Sequence, residues 1–336
     1  MPEYIELAHG HGGRLSLELI EEVILPALGA TEAPILDAAL LPRAEGPLVI
    51  STDSFTISPI FFPGGDIGKL AACGTMNDIA MLGARPLALS LGLIIEEGFP
   101  VADLRRVLIS LGEAAAAAGV RVVTGDTKVV EKGQCDGIFL NTTGVGVQVA
   151  PAPVRPDQIR RGDVILVSGC IAEHGVAILN ARHRLNPDLR LESDCAALWP
   201  LVERLIATIG ADLHALRDPT RGGLAATLNE IARDTRREIV VEEARLPLRP
   251  EVAQVLDILG MDPLIMANEG KFVAFVAPAA AERALVAMQS HPLGVNATVV
   301  GTVDGEHQMG RVVLNTAYGT CRVVEMPVAE GLPRIC

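Results

Sequence analysis

Aromatic side chains are scarce in this sequence: they make up 3% of its 336 residues, with a single Trp. The core must therefore be built from Ala, Val, Leu and Ile, and a hydrophobic content of 49% is enough to build a large one. Basic residues are in deficit as well. The 28 Lys and Arg face 41 Asp and Glu, for a net charge of -13. That balance speaks against a nucleic-acid surface, which needs clustered Lys and Arg. It leaves room for a phosphate ligand, because acidic groups hold Mg2+ and the ion carries the phosphates.

No stretch approaches the ~18 uninterrupted apolar residues of a membrane span. The opening MPEYIELAHG has neither the basic nor the apolar region of a secretory leader. The expectation is a cytoplasmic protein with no membrane and no nucleic-acid partner. The six cysteines, at 73, 135, 170, 195, 321 and 336, form no CxxC pair. Neither a disulfide framework nor a zinc site has spacing support. Five of them sit among apolar or small residues, as buried small hydrophobes do. Cys336 is the last residue, where burial is not the default. A GxxxxGK[ST] loop and a strand–GxGxxG–helix unit are also missing, so a nucleotide site here belongs to another architecture.

The residues present alternate short apolar strands with amphipathic helices, the pattern of an α/β chain. Helices are expected over 67–82, 101–118, 173–184 and 196–209, and strands over 48–51, 86–95 and 120–123. The segment APAPVRPDQIRRGD (150–163) is rich in Pro and charge, and it divides the chain into 1–150 and 151–330. A short tail, GLPRIC (331–336), remains. Gly331 offers it a hinge, and Pro333 stiffens its last residues. GKLAACGTMNDIA (68–80) and GGLAATLNEIA (222–232) echo one another, as two related halves would.

Carboxylates recur beside small residues at the expected ends of elements. Asp53 follows a strand, Asp66 stands where a helix N-cap belongs, and Asp78 lies on that helix beside Asn77. Asp126 sits between Gly125 and Thr127, and Asp218 precedes Thr220 and a Gly pair. Each is either a cap or turn former or part of an oxygen-ligand set for Mg2+ and nucleotide phosphate. Five in similar settings favour metal and nucleotide. Lys69 and Lys128 are either phosphate contacts or solvated lysines. HGHGG (His9, Gly10, His11, Gly12 and Gly13) is either a disordered leader or a flap whose glycines give reach over phosphates. His174 reads as a packed or capping histidine. Cys336 sits on a Pro-containing tail near Arg334, and a thiolate there is a good nucleophile.

The segments HGHGG, STDSFTISPIFFPGGDIGKLA, GTMNDIAMLGARP, TGDTKVVEKG, NTTGVG, RDPTRGGLAATLNEIA, DPLIMANEGK and the terminal PRIC occur in that order over nearly the whole chain. Together they resemble the HypE family of hydrogenase maturation proteins. One departure is Ala172 in SGCIAEHG, where that family is expected to carry Gly. The resemblance implies a two-domain α/β fold of the aminoimidazole ribonucleotide synthetase type. An N-terminal ATP-binding domain supplies much of a homodimer interface, and a C-terminal α/β domain ends in a mobile tail. ATP would lie in a cleft between halves of the dimer or between domains. Asp53, Asp66, Asp78, Asp126 and Asp218 become the Mg2+ and phosphate candidates. ATP contacts fall to Lys69, Asn77, Gly125, Thr127, His9, His11, Gly12 and Gly13.

The implied reaction is an ATP-dependent dehydration on Cys336. A carbamoyltransferase partner loads a carbamoyl group on the sulfur, and the amide oxygen then attacks the γ-phosphate, with Lys69 or Lys128 balancing charge. Glu269 removes nitrogen protons, and a thiocyanate remains. Cyanide would pass to iron held by scaffold proteins of [NiFe] hydrogenase assembly. Two rival readings remain: a synthetase or kinase of the same superfamily acting on a free small molecule, and a non-enzymatic metallochaperone using His9, His11 and Cys336.

Overall fold

The computed structural model describes residues 2–29, 37–185, 190–328 and 334–336. Gly331 and Pro333 lie outside them. In the first half, strands β1 (Leu48–Phe55), β2 (Phe61–Phe62), β3 (Gly65–Asp66), β4 (Ala84–Glu96), β5 (Arg121–Val130) and β6 (Ile138–Gln148) accompany helices α1 (Arg14–Leu19), α2 (Leu25–Ala27), α3 (Ile67–Met81) and α4 (Val101–Ala117). Four of the strands form a sheet ordered β1-β6-β4-β5. The β4–β5 pair is parallel and the others antiparallel. Helices α3 and α4 pack on one face of it. Side chains alternate along β1, with Leu48 and Ile50 exposed and their neighbours turned inward, as the period-two geometry of a strand requires.

Helix α3 is buried on nearly every side. Its small residues make that possible. A Cβ on Gly68 would lie 2.0 Å from the Val107 carbonyl of α4, so the two helices meet backbone to backbone there. The other flank of α3 faces the second half of the chain, where Ala80 and Met81 join the apolar cluster around Leu198, Trp199 and Leu216.

The second half contains β7 (Val164–Val167), β8 (Leu213–Arg217), β9 (Arg237–Glu242), β10 (Val273–Val276), β11 (Thr298–Glu306), β12 (Arg311–Asn315) and β13 (Cys321–Val324), with helices α5 (Glu173–His183), α6 (Trp199–Ile209), α7 (Gly223–Thr235), α8 (Pro250–Leu259) and α9 (Ala281–Gln289). Its strands form a mixed sheet ordered β13-β12-β9-β11-β7-β10-β8. Strands β7 (VILV) and β10 (VAFV) are apolar throughout because both their faces are covered. Helix α7 covers one face, and α6 and α9 the other. Helices α5 and α8 pack together at the side.

Three local expectations are corrected. The strands expected to stop at TDSF and TGDTK run through them, because Asp53 pairs with Thr142 and Asp126 with Gly92 across the sheet. The opening segment is docked: Ile5 is buried and donates its N–H to Phe99, and His9 is buried against β5. Among the cysteines, only Cys73 and Cys195 are buried, and Cys321 is exposed on β13. Ala172, at the position where Gly is expected, has φ 70° at the start of α5. That conformation favours Gly, and here Ala holds it with its N–H bonded to Asn268 Oδ1 at 2.8 Å.

The echoed helices α3 and α7 diverge in what their asparagines do. Asn229 bonds within its own half, to the Ala225 and Val324 carbonyls. Asn77 reaches across the seam. Its Nδ2 donates to the carbonyls of Ala196 and Glu269 at 3.0 and 3.3 Å, and its Oδ1 accepts from Leu198 N–H at 2.8 Å. Removing a buried amide of this kind strands its partners. Asn77→Ala should therefore lower unfolding free energy by about 2–4 kcal/mol in urea titration. Lys128→Ala, on an exposed surface, should change it by less than about 0.5 kcal/mol. Similar losses for both would mean that Asn77 does not hold the seam.

Candidate active site

The sheet register sorts the predicted carboxylates. Asp53 lies on the β1 face that looks at α3, beside Ser51, whose hydroxyl donates to Asp78 Oδ2 at 2.6 Å. Asp218 arrives from the turn between β8 and α7. These three face one another electrostatically, and Glu269, just before β10, faces all of them. Burial pushes the Asp78 carboxyl up to about 7, with Asp218 and then Asp53 adding to it against the Ser51 hydrogen bond. Burial also raises Asp218 to about 6, with Asp53 adding charge repulsion.

Glu269 is 4% exposed. Its pKa stands well above the ordinary carboxylate range, through burial first and then the charges of Asp194, Asp218, Asp53 and Asp78. Its Oε1 has no hydrogen-bond partner. Its backbone N–H donates to Asp194 Oδ1 at 3.0 Å. Lys271 lies beside Asp194 and Glu173, at 3.3 and 3.4 Å. Burial would strip its proton, but those two carboxylates outweigh burial and raise its pKa.

Asp66 and Asp126 stand apart from this group. Asp66 is the N-cap of α3, accepting from Gly68 and Lys69 N–H at 2.8 and 3.0 Å, so its carboxylate is spent on the helix terminus. Asp126 lies with Lys128 on the open face of the sheet, opposite to the face carrying Asp53, and the two side chains pair with each other. Gly125 is required by packing, since a Cβ there would meet the Leu91 carbonyl at 2.4 Å. Thr127 is its neighbour on β5. Lys69 donates to the Gly64 carbonyl at 2.8 Å. Both amide hydrogens of Asn77 are committed to the seam. His11, Gly12 and Gly13 form an exposed turn ahead of α1, in which Gly12 and Gly13 have φ of 79° and 85°.

The donor set of Asp53, Asp78 and Asp218 fits a hard cation, because the charges of Asp218 and Asp53 raise the proton affinity of Asp78, Asp53 does the same to Asp218, and positive charge among them relieves that repulsion. Among the described residues, no three His, Cys, Asp or Glu side chains are gathered tightly enough to hold an ion by themselves, so the fit is to an ion that phosphate oxygens also ligate.

The tail supplies the residues that sequence reasoning undervalued. Arg334, Ile335 and Cys336 lie along Thr56–Ser58 like an added strand. Thr56 N–H donates to the Cys336 carbonyl at 3.1 Å, and Ser58 N–H donates to that of Arg334 at 3.3 Å. The Arg334 guanidinium donates to the Thr56 carbonyl at 2.7 Å, pairs with Asp136 and lies 5.7 Å from the Phe139 ring centroid. Ile335 is 2% exposed and joins the cluster of Cys73, Cys195, Ile178 and Ala267, against which Cys336 also packs. His174 and Arg182 of α5 donate to the carbonyls of Ile335 and Arg334 at 2.8 and 2.9 Å. The EHG segment gave no signal for this, because a tail contact 161 residues away has no local pattern.

The family model "AIR synthase related protein, N-terminal domain" matches residues 36–148, and the corresponding C-terminal domain model matches residues 160–313. Carbamoyl dehydratase HypE of Rhodobacter capsulatus is 49% identical over 99% of this chain and 98% of its own length. A crystal structure of hydrogenase maturation protein HypE in complex with ATP matches with TM-score 0.93 at 46% identity, covering 98% of this chain and 99% of that one. A chain from a crystal structure of a HypE–HypF complex matches with TM-score 0.80 at 48% identity, over 83% and 90% of the two chains.

The carboxylate group makes a test of its own. A raised carboxyl pKa is a folding cost that is absent in acid, grows as pH climbs past the ordinary carboxylate value, and levels off above the folded value of about 7 for Asp78. Asp78→Asn removes that cost while its Oδ1 still accepts from Ser51. Between about pH 4.5 and about pH 8, urea unfolding should show the variant gaining on the order of 2–4 kcal/mol on its parent. A gain that does not depend on pH would rule out charge repulsion as its source.

Proposed function

The chain belongs to the HypE family of carbamoyl dehydratases, enzymes of hydrogenase maturation, and from that membership we propose that it converts an S-carbamoyl group on Cys336 to a thiocyanate at the expense of ATP. The observation that carries this reading is the docked tail. Cys336 packs on the apolar cluster that contains Ala267, two residues before Glu269, and Cys195, whose thiol feels the Glu269 charge.

The chemistry balances without an outside oxidant. The carbamoyl oxygen attacks the γ-phosphorus, ADP leaves, and the carbon now carries phosphate in place of a poor oxide leaving group. Loss of both nitrogen protons and of the C–O bond gives S–C≡N, ADP and phosphate. Glu269, when ionised, is a carboxylate with little solvation, and such a group takes a proton avidly. Its unpartnered Oε1 is free to receive one. Lys69, or Lys128 from another copy, balances phosphate charge. Asp53, Asp78 and Asp218 would hold Mg2+, which when bound supplies charge for the phosphate oxygens.

Several further assignments come with this reading. The domains are 1–150 and 151–330, followed by a tail, 331–336, that carries Cys336. The site is completed in a homodimer. Asp126 and Lys128 lie on the same open face as the exposed Ile50 and Ile94, so a second copy laid on that face would cover the apolar residues and bring this ion pair to a nucleotide. ATP is the cosubstrate, a reading supported by the crystal structure of HypE in complex with ATP. A carbamoyltransferase loads Cys336, and the HypE–HypF complex supports a partner of that kind. Iron-carrying scaffold proteins receive the cyanide, in the cytoplasm.

Incubating carbamoylated full-length protein with Mg-ATP should remove the mass of one water, located on the tail peptide. Glu269→Gln should retain ATP binding and slow that loss by about 10²–10⁴-fold, as removal of a general base does. Cys336→Ala should leave nothing to dehydrate. An unchanged carbamoyl mass in the parent would overturn the reading, and turnover of a free small molecule by Cys336→Ala would favour a synthetase or kinase.

A further inference from the structure

Two side chains outside the acidic group meet the tail main chain. His174 is fully buried at the start of α5, with the Phe62 ring edge-on at a centroid distance of 5.7 Å. Its partners settle its tautomer. The Ile335 carbonyl accepts only, so Nε2 carries the hydrogen and donates to it at 2.8 Å. Nδ1 is then the acceptor, and the Ser193 hydroxyl donates to it at 2.7 Å. The Ser193 oxygen in turn accepts from Cys195 N–H at 3.1 Å. The result is a one-way chain of donors running from Cys195 through Ser193 and His174 to the tail.

The loop that orients His174 also orients Glu269. Ser193 N–H donates to the Pro63 carbonyl, which fixes the loop against the first half of the chain. Asp194, the next residue, accepts from Glu269 N–H and lies beside Lys271. Ser193, Asp194 and Cys195 therefore set both the tail position and the backbone that carries the Glu269 carboxyl. One turn further along α5 than Leu179, Arg182 donates to the carbonyls of Ser58 and Arg334 at 2.6 and 2.9 Å.

We propose that His174, assisted by Arg182, is the positioning residue that clamps the tail main chain inward for dehydration, and that releasing this clamp exposes Cys336 for loading. The proposal rests on the dehydratase reading. It predicts opposite effects on two steps, which a general structural defect does not produce. Without the His174 donor the inward tail leaves a buried carbonyl unpaired, so the equilibrium moves outward. Dehydration then slows while attack on the sulfur by a reagent from solution speeds up.

The test uses the full-length protein. Single-turnover dehydration is followed on the carbamoylated form with Mg-ATP. Alkylation of Cys336 by iodoacetamide is followed on the free thiol, with the modified tail peptide identified by mass. His174→Leu should slow dehydration and quicken alkylation, each by about tenfold. His174→Gln, which can still donate to Ile335 and accept from Ser193, should restore both towards the parent. Arg182→Met should show the same opposed pair and serves alone if His174→Leu does not fold. The proposal falls if both rates stay unchanged, if both fall together, or if Gln is as damaging as Leu. If the parent itself loses no water, the dehydratase reading fails, while the alkylation rates still decide whether the clamp exists.

Discussion

Repulsion among buried and partly buried carboxylates at the seam between the two sheets is the constraint around which the structure is arranged. Asp53 comes from the first sheet, Asp78 from the helix on it, and Asp218 and Glu269 from the second half. Bringing them together is unfavourable for folding alone, since Asp218 and Asp53 make Asp78 harder to ionise and all three do so to Glu269. The seam is closed by other means. Asn77 contributes neutral hydrogen bonds to three backbone groups, and Ala80 and Met81 bury apolar surface in the second half. Lys271 keeps its charge beside Asp194 rather than among the clustered Asp residues. The clustered carboxylates are thus held together by neutral and apolar contacts on either side.

Much of this is legible in the amino-acid sequence. The apolar runs of β7 and β10, the helix from Ile67 and the Asp66 cap follow from local rules, and the structure has them. Local rules do not supply the face that a residue occupies. Asp53 and Asp126 look alike in sequence, each between small polar residues near a strand. The register places them on opposite faces of one sheet. Strand lengths come out too short for the same reason: Gly, Thr and Asp suggest turns, and cross-strand partners override that preference. The resemblance makes Asn77 a nucleotide contact, and no local rule tells that, with adjacent residues of α3 about 100° apart, Asp78 turns to Ser51 while Asn77 faces the second half. His174 has no sequence signal, since its partner is a backbone carbonyl at the far end of the chain.

The docked tail shows why recognition falls on the main chain. The hydrogen bonds that seat residues 334–336 reach the carbonyls of Arg334, Ile335 and Cys336 and the guanidinium of Arg334. None of these depends on what the Cys336 sulfur carries. A thiol, a carbamoyl group or a thiocyanate would meet the same donors at Thr56, Ser58, His174 and Arg182. Binding energy spent equally on each form holds the substrate without favouring any one of them. Discrimination is then left to the groups around the sulfur and, on the proposed reading, to Glu269, whose buried Oε1 has no partner. On the proposed reading the substrate is part of its own enzyme and needs no affinity from bulk solution. It needs a docked state stable enough to react and weak enough to leave, and a few main-chain hydrogen bonds, each worth about 1 kcal/mol net, lie in that range.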